Sequence, residues 1–279
     1  MKSDPPRLTV SIVVHQSPVE LLCATINSLY IASLRALNEG HLVEVLLSVI
    51  DNSQSPNYSA HLRGALDDLE LSGFFRLNYV EAEDNKGFGV GHNLALSDPD
   101  SDYHLILNPD VELAESALSV GLSALQFAPE LVLLSPLVTG SAGEQEFLCK
   151  SYPSVFVLLL RAFAPAFICD RFRPLLDRYE MREVCKAGHQ ADILLASGCF
   201  MLTRTAALLE VGGFSDKYFL YFEDFDLSLR LRDAGRLVFH PSMQITHHGG
   251  YAARKGGRHV WLFIKSGFHF FNDHGWKWI

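Results

Sequence analysis

His104-Leu105-Ile106-Leu107-Asn108-Pro109-Asp110 is the stretch that decides how the rest of the chain is read. A mostly apolar run of strand length meets Asn-Pro-Asp, a step that ends strands and starts turns. A carboxylate there has two readings. It closes a turn, or it stands at the carboxyl end of a strand, where Asp110 can hold a hard divalent cation and, through it, a diphosphate. Upstream the pattern recurs. Leu8–Val14 is short, apolar and β-branched, Val43–Ile50 runs into Asp51-Asn52-Ser53, and Phe75–Val80 precedes a glycine loop. Between these strands Pro18–Leu37 carries Leu21, Leu22, Ile26, Leu29 and Leu34 at helical spacing, and His61–Leu69 and Val90–Leu96 read as shorter helices. Downstream, Ala114–Phe127 is helical and Leu131–Ser135 strand-like. Strands separated by helices predict βαβ units: an α/β fold with a Rossmann-like, mostly parallel central sheet flanked by helices. Ligands of such sheets sit at the carboxyl ends of the strands, so Asp51, the glycine loop and Asp110 are expected to face one crevice.

Composition narrows the class. The 279 residues are 48% hydrophobic and 20% charged, enough for a sizeable core and incompatible with a disordered chain or a small disulfide scaffold. A net charge of −9 argues against a nucleic-acid partner. The charge is uneven: residues 251–279 carry Arg254, Lys255, Arg258, Lys265 and Lys277 against Asp273, a local +4 on a body of −13. The five cysteines are odd in number and form no Cys-x-x-Cys, as expected of free thiols in a reducing, cytoplasmic compartment. No apolar run reaches transmembrane length, and the polar start Met1–Arg7 lacks the pattern of a secretory signal. The nearest membrane candidate, Val155–Leu160 continuing to Ile168, is broken by Arg161 and Pro165 and reads either as interfacial or as a buried, crevice-lining segment.

Three further motifs carry chemistry. Asn85-Lys86-Gly87-Phe88-Gly89-Val90-Gly91-His92-Asn93 opens a helix, and its glycines either allow a ligand to approach the backbone or make a tight turn. It matches neither the P-loop nor the dinucleotide fingerprint. No glycine occurs before Gly40, which removes the early glycine loop of a nucleotidyltransferase. Tyr221-Phe222-Glu223-Asp224-Phe225-Asp226 places three carboxylates beside aromatic rings. Acids at a helix start cap it favourably. Three so close also repel one another, which raises at least one pKa into the range of a general base. His247-His248-Gly249-Gly250 follows a short strand near Leu237–His240 and acquires a metal or phosphate role only in company with other ligands.

Taken together and in order, Asp51-Asn52-Ser53, Asn85–Asn93, Asn108-Pro109-Asp110, Ser197-Gly198-Cys199-Phe200-Met201, Gly212-Gly213-Phe214, Tyr218–Asp226 with Arg230, and His247 resemble family 2 glycosyltransferases of the GT-A fold. Within that family the chain looks most like bacterial rhamnosyltransferases of O-antigen and cell-wall polysaccharide synthesis. The resemblance implies roles. Asp51 and Asn52 would contact the base or ribose of a nucleotide sugar, while Asn85, Gly87, Gly89 and Asn93 shape its pocket. Asp110, beside Asn108, would bind Mg²⁺ or Mn²⁺ with the diphosphate, and His247 would add a metal or phosphate contact. Asp224 matches the catalytic base, with Glu223 supporting it and Asp226 near sugar hydroxyls, and Arg258 and Trp261 are acceptor-side candidates. Asn108 departs from the usual Asp-x-Asp pattern, which lowers the expected metal affinity and puts strict metal dependence in doubt.

The resemblance further implies an inverting transferase, with dTDP-L-rhamnose as the favoured donor and UDP-galactofuranose or a UDP-hexose as alternatives. The implied acceptor is a lipid-linked glycan at the cytoplasmic face of the plasma membrane. A non-catalytic nucleotide- or carbohydrate-binding module is the alternative from another class. The expected organisation is a catalytic domain over residues 1–250, with a nucleotide-sugar half at about 1–135 and a catalytic-base half at about 136–250. A basic aromatic helical tail over 251–279 would either lie at a membrane surface or pack its rings on the catalytic domain.

Overall fold

The computed structural model describes residues 6–96, 100–249 and 257–279. Arg254, Lys255, Gly250 and the first five residues, which entered the charge, motif and signal readings, lie outside them. The first half alternates as expected: β1 (Arg7–Val14), α1 (Val19–Asn38), β2 (Glu44–Asp51), α2 (Pro56–Asp67), β3 (Phe75–Glu81), α3 (Phe88–Asn93) and β4 (Tyr103–Leu107). A short β5 (Val111–Leu113) follows the Asn-Pro-Asp turn, then α4 (Ala117–Phe127) and β6 (Leu131–Gly140). The less periodic stretch holds β7 (Gln145–Glu146), α5 (Val155–Phe163), α6 (Ala166–Arg171), α7 (Arg173–Tyr179), α8 (Arg182–Lys186) and β8 (Ala191–Asp192). The chain closes with β9 (Phe200–Arg204), α9 (Thr205–Glu210), α10 (Glu223–Leu231), β10 (Arg236–His247) and α11 (Gly257–His274).

The sheet runs β3-β2-β1-β4-β9-β6-β10-β5. Strands β1 to β4 are parallel, as the βαβ reading requires, and β6 pairs parallel with β10. Strand β9 enters antiparallel between β4 and β6, and β5 closes the edge antiparallel to β10, so the second half is mixed. Strand order reverses at β1, with β2 on one side and β4 on the other. That reversal opens a crevice at the carboxyl ends, where Asp51 and Asn108–Asp110 follow their strands.

Helices cover both faces. On one, Leu22, Ile26 and Leu29 of α1, Leu62 of α2 and Leu122 of α4 are fully buried in one cluster with Val10, Ile12 and Leu47 of the sheet. On the other, Leu208, Leu227 and Leu231 pack with Ile106, Met201 and Phe239. Strand period explains a polar seam between these layers. Leu8, Val10 and Ile12 point to the first cluster, so Thr9 and Ser11 point the other way. Thr9 Oγ1 lies 2.8 Å from His104 Nδ1, and Ser11 Oγ lies 2.8 Å from His104 Nε2 and 2.7 Å from His92 Nδ1. Both histidines are fully buried.

Burial holds both imidazoles neutral. His104 is driven down to about 3, and His92 goes well below the ordinary histidine value through burial and then the neighbouring His104. In the unfolded chain both protonate near pH 6.5. The unfolded state therefore binds more protons below that point, and stability present above pH 6.5 is lost as the pH falls towards 3. At one unit below 6.5 the loss should be on the order of 1 kcal/mol per histidine. Urea unfolding at pH 7.5 and 5.5 measures it, and His104→Gln should reduce the difference by one histidine's share.

Candidate functional site

The turn that launches α10 is strained. Tyr221 (φ 71°) and Phe222 (φ 66°) are consecutive non-glycine residues in the left-handed region, a conformation kept only where the surroundings over-determine it. Those surroundings are aromatic. The Phe222 ring packs 5.1–5.7 Å from Phe225, Phe263 and Phe270, and the Tyr221 hydroxyl lies 2.9 Å from His259 Nδ1. The strain turns the first carboxylates of α10 inward. Asp224 accepts hydrogen bonds from the Gly198 N–H (3.0 Å) and the Phe225 N–H (2.9 Å), while Glu223 Oε2 is buried with no partner among the described residues. Burial pushes Asp224 up to about 6 against those two N–H donors. Glu223 rises well above the carboxylate range through burial and then the charge of Asp224. The pair carries one negative charge far more readily than two.

Both acids line a cavity of about 580 Å³. Lys150, Arg161 and Tyr179 form one wall, and Leu158, Phe163, Val260 and Phe263 form an apolar rim. The segment Val155–Ile168 is thus crevice-lining through Leu158 and Phe163, while Leu159 and Phe167 are exposed. From α11, His259, Val260 and Phe263 line the cavity, whereas Arg258 and Trp261 are exposed and not part of the lining. Asp226 is bound elsewhere. Its carboxylate pairs with Arg230 at 2.7 Å and with His274 at 2.8 Å, which fastens α11 to α10.

A second cluster, outside the cavity lining, is built from β2 and the glycine loop. The buried Asp51 accepts from the Ser53 N–H (2.8 Å), Ser59 Oγ (2.6 Å) and the Tyr79 hydroxyl (2.8 Å). Burial works to raise its pKa, but these hydrogen bonds outweigh it and hold the carboxyl below its usual value. Asn52 Nδ2 donates to the Gly87 carbonyl, and Asn85 Oδ1 accepts from the Gly87 N–H. Gly87 has φ +101°, and a Cβ there would sit 2.0 Å from the Phe219 carbonyl oxygen. A Cβ on Gly89 would meet the Phe214 side chain at 2.7 Å, and Asn93 hydrogen-bonds the Phe214 backbone in both directions. The close approach these glycines permit is therefore to the chain segment Phe214–Phe219, which leads into the strained turn.

A third cluster surrounds Asp110, which is likewise outside the cavity lining. Thr25 Oγ1 donates to the Pro109 carbonyl and accepts from the Val111 N–H, pinning the turn. Asp110 Oδ1 is buried with no hydrogen-bond partner among the described residues and lies 3.6 Å from His247 Nε2. His247 Nδ1 faces Glu146 Oε2 at 2.9 Å, an arrangement that orients the ring and leaves Nε2 towards Asp110. Asn108 stands at the head of the turn. Among the described residues no three His, Cys, Asp or Glu side chains converge as a cage. A carboxylate whose orphaned oxygen faces an imidazole nevertheless fits a divalent cation that takes its other ligands from phosphate oxygens and water.

The turn Ser197–Cys199 links the first cluster to the third: the Gly198 N–H holds Asp224, and the Cys199 carbonyl accepts from the Asn108 N–H at 3.0 Å. Sequence reasoning placed Asp224, Glu223, Asp110 and His247 in the site but missed Glu146, Lys150 and Tyr179, and registered Arg161 only as an interruption. These four lie in the stretch without periodicity, and no local motif marks them.

No protein-family model matches the chain. N-acetylglucosaminyl-diphospho-decaprenol L-rhamnosyltransferase of Mycobacterium tuberculosis is 30% identical over 179 residues, covering 63% of this chain and 57% of that protein. The chain thus spans little more than half the length of that relative. Rhamnosyltransferase WbbL of Escherichia coli K12 is 25% identical over 218 residues, 73% of this chain and 77% of that protein. The mannosyltransferase PcManGT from Pyrobaculum calidifontis, solved with GDP-Man and Mn²⁺, superposes with a TM-score of 0.58 at 17% identity, covering 92% of this chain and 59% of its own. The chain is a sequence relative of bacterial rhamnosyltransferases and is built on the GT-A glycosyltransferase fold.

Proposed function

We propose that this protein is an inverting glycosyltransferase that moves L-rhamnose from dTDP-L-rhamnose onto a lipid-linked glycan. The observation that carries the transferase reading is the single cavity floor shared by Asp224, tuned to about 6, and Glu223. The rhamnosyl donor and the lipid-linked acceptor rest on the sequence relatives alone, and UDP-galactofuranose or a UDP-hexose is the competing donor.

In this reading Asp224 takes the proton of the acceptor hydroxyl as that oxygen attacks the anomeric carbon from the face opposite the leaving diphosphate. The Gly198 and Phe225 N–H groups hold the carboxylate in place, and the raised pKa gives it proton affinity while leaving it ionised at neutral pH. Glu223, kept neutral, spares Asp224 a second charge. Asp110 and His247 would hold Mg²⁺ or Mn²⁺, with Glu146 orienting His247. The cation, when bound, neutralises charge on the departing nucleoside diphosphate. Asn85, Asn52 and the Asp51 hydrogen bonds keep the nucleotide side preformed, with the Asp51 carboxylate ordering the loop through Ser53 and Ser59. The acceptor side would lie at the inner face of a membrane. No helix among the described residues is long and apolar enough to cross one.

A panel of nucleotide sugars scored for donor hydrolysis tests the assignment: dTDP-L-rhamnose should be turned over fastest, and no hydrolysis of any donor would reject it. Asp224→Asn should lower kcat by about 10²–10⁴-fold while nucleotide affinity is kept. The kcat of the wild-type protein should rise with pH through about 6 as Asp224 loses its proton, then level off. Asp110→Ala should remove the Mn²⁺-dependent part of dTDP binding by calorimetry, about 10-fold or more, and equal affinity with and without EDTA in the wild type would sink the metal assignment.

A further inference from the structure

The cavity in front of Asp224 is chemically lopsided. Its floor is acidic, yet one wall carries two cations on a single ring: Lys150 Nζ lies 5.7 Å and the Arg161 guanidinium 5.3 Å from the Tyr179 centroid. Lys150 is only 8% exposed, and its ammonium is met by the Phe147 carbonyl rather than by a carboxylate. Arg161 reaches Glu180 at 3.7 Å, but Arg182 engages that carboxylate more closely, at 2.6 Å. Burial and then the charge of Arg161 press Lys150 down to about 8, with Glu180 opposing them, and the Lys150 charge acts in turn on Asp224.

The rim points to what fills it. Leu158 and Phe163 of α5 line the cavity together with Val260 and Phe263 of α11, and Phe167 and Ile264, close to them in sequence, are exposed. The two helices are held as a pair, because the α5 N-terminal N–H groups of Val155 and Phe156 donate to the carbonyls of Lys277 and Trp278. An occupant that satisfies all three surfaces has a hydroxyl at Asp224, an anion at the cationic wall and a hydrocarbon chain leaving over the rim. A nucleotide uses the anion site but leaves the apolar rim unmatched.

We propose that Lys150 and Arg161 form the phosphate wall of the acceptor site and bind an isoprenoid diphosphate whose chain leaves between α5 and α11. This rests on the lipid-linked acceptor reading above and assigns it residues.

The test is direct binding of geranylgeranyl diphosphate, geranylgeraniol and inorganic pyrophosphate to the full chain by calorimetry in EDTA, which silences metal-bridged binding at Asp110. The diphosphate lipid should bind on the order of 10-fold or more tighter than either the alcohol or pyrophosphate. Lys150→Met and Arg161→Gln should each abolish that advantage, and Arg161→Lys should restore part of it. Arg161 is partly exposed, so its variants report even if Lys150→Met fails to fold. Equal binding of lipid diphosphate and alcohol, an unchanged advantage in Arg161→Gln, or pyrophosphate matching the lipid would overturn the proposal. Donor hydrolysis is assayed alongside: hydrolysis without lipid-diphosphate binding removes this wall alone, and binding without hydrolysis removes the transferase reading and leaves the wall.

Discussion

The peptide groups of Ser197–Cys199 hold the site together. One N–H of this turn fixes the Asp224 carboxylate and one carbonyl fixes the head of the Asn108–Asp110 turn, so both are tied to the peptide groups of one short segment. Backbone groups suit this task because they have no rotamers to lose. Space is equally constrained: a Cβ on Gly198 would lie 2.9 Å from the Phe88 ring. The turn can take this position because β9 runs antiparallel into the sheet beside β4, bringing its amino end next to the carboxyl end of β4.

Around that turn the protein spends stability where chemistry needs it. Two left-handed aromatic residues, a buried carboxyl pair and a buried lysine all border one cavity. Each is unfavourable alone. They persist because the ring cluster of Phe222, Phe263 and Phe270, the Asp226–His274 link and the carboxy-terminal strap over α5 hold α10 and α11 against them. The basic aromatic tail that stood out in the sequence therefore has two faces. Leu262, Phe270 and Phe271 are buried, the two phenylalanines in one ring cluster with Tyr218 and Phe222, and Trp261, Ile264 and Phe268 are left to solvent. The packing expected of this tail is met by its buried face.

Much of the site was legible because its residues sit at local landmarks. Asp51 and Asp110 end strands, and Glu223 and Asp224 start a helix. Such positions are set by hydrophobic period and turn chemistry over a few residues. His247 was legible only as a residue awaiting a partner, since its neighbour Asp110 is distant in sequence and adjacent only through the β5–β10 pairing. The glycine loop was seen, but not what it approaches. A glycine's φ and its lack of a side chain show that something comes close, and only the packed chain shows that it is Phe219.

By itself the sequence determined the order of the main strands and helices over about the first 135 residues, the parallel first half of the sheet and the ends at which carboxylates would gather. These follow from periods of 2 and 3.6 residues and from local turn preferences. Tertiary structure decided the direction of β9, the inward aim of Asp224, the structural use of Asp226 and the cationic wall of Lys150 and Arg161. Strand direction and side-chain environment depend on groups distant along the chain, and a buried charge has no local signature until the fold removes its water.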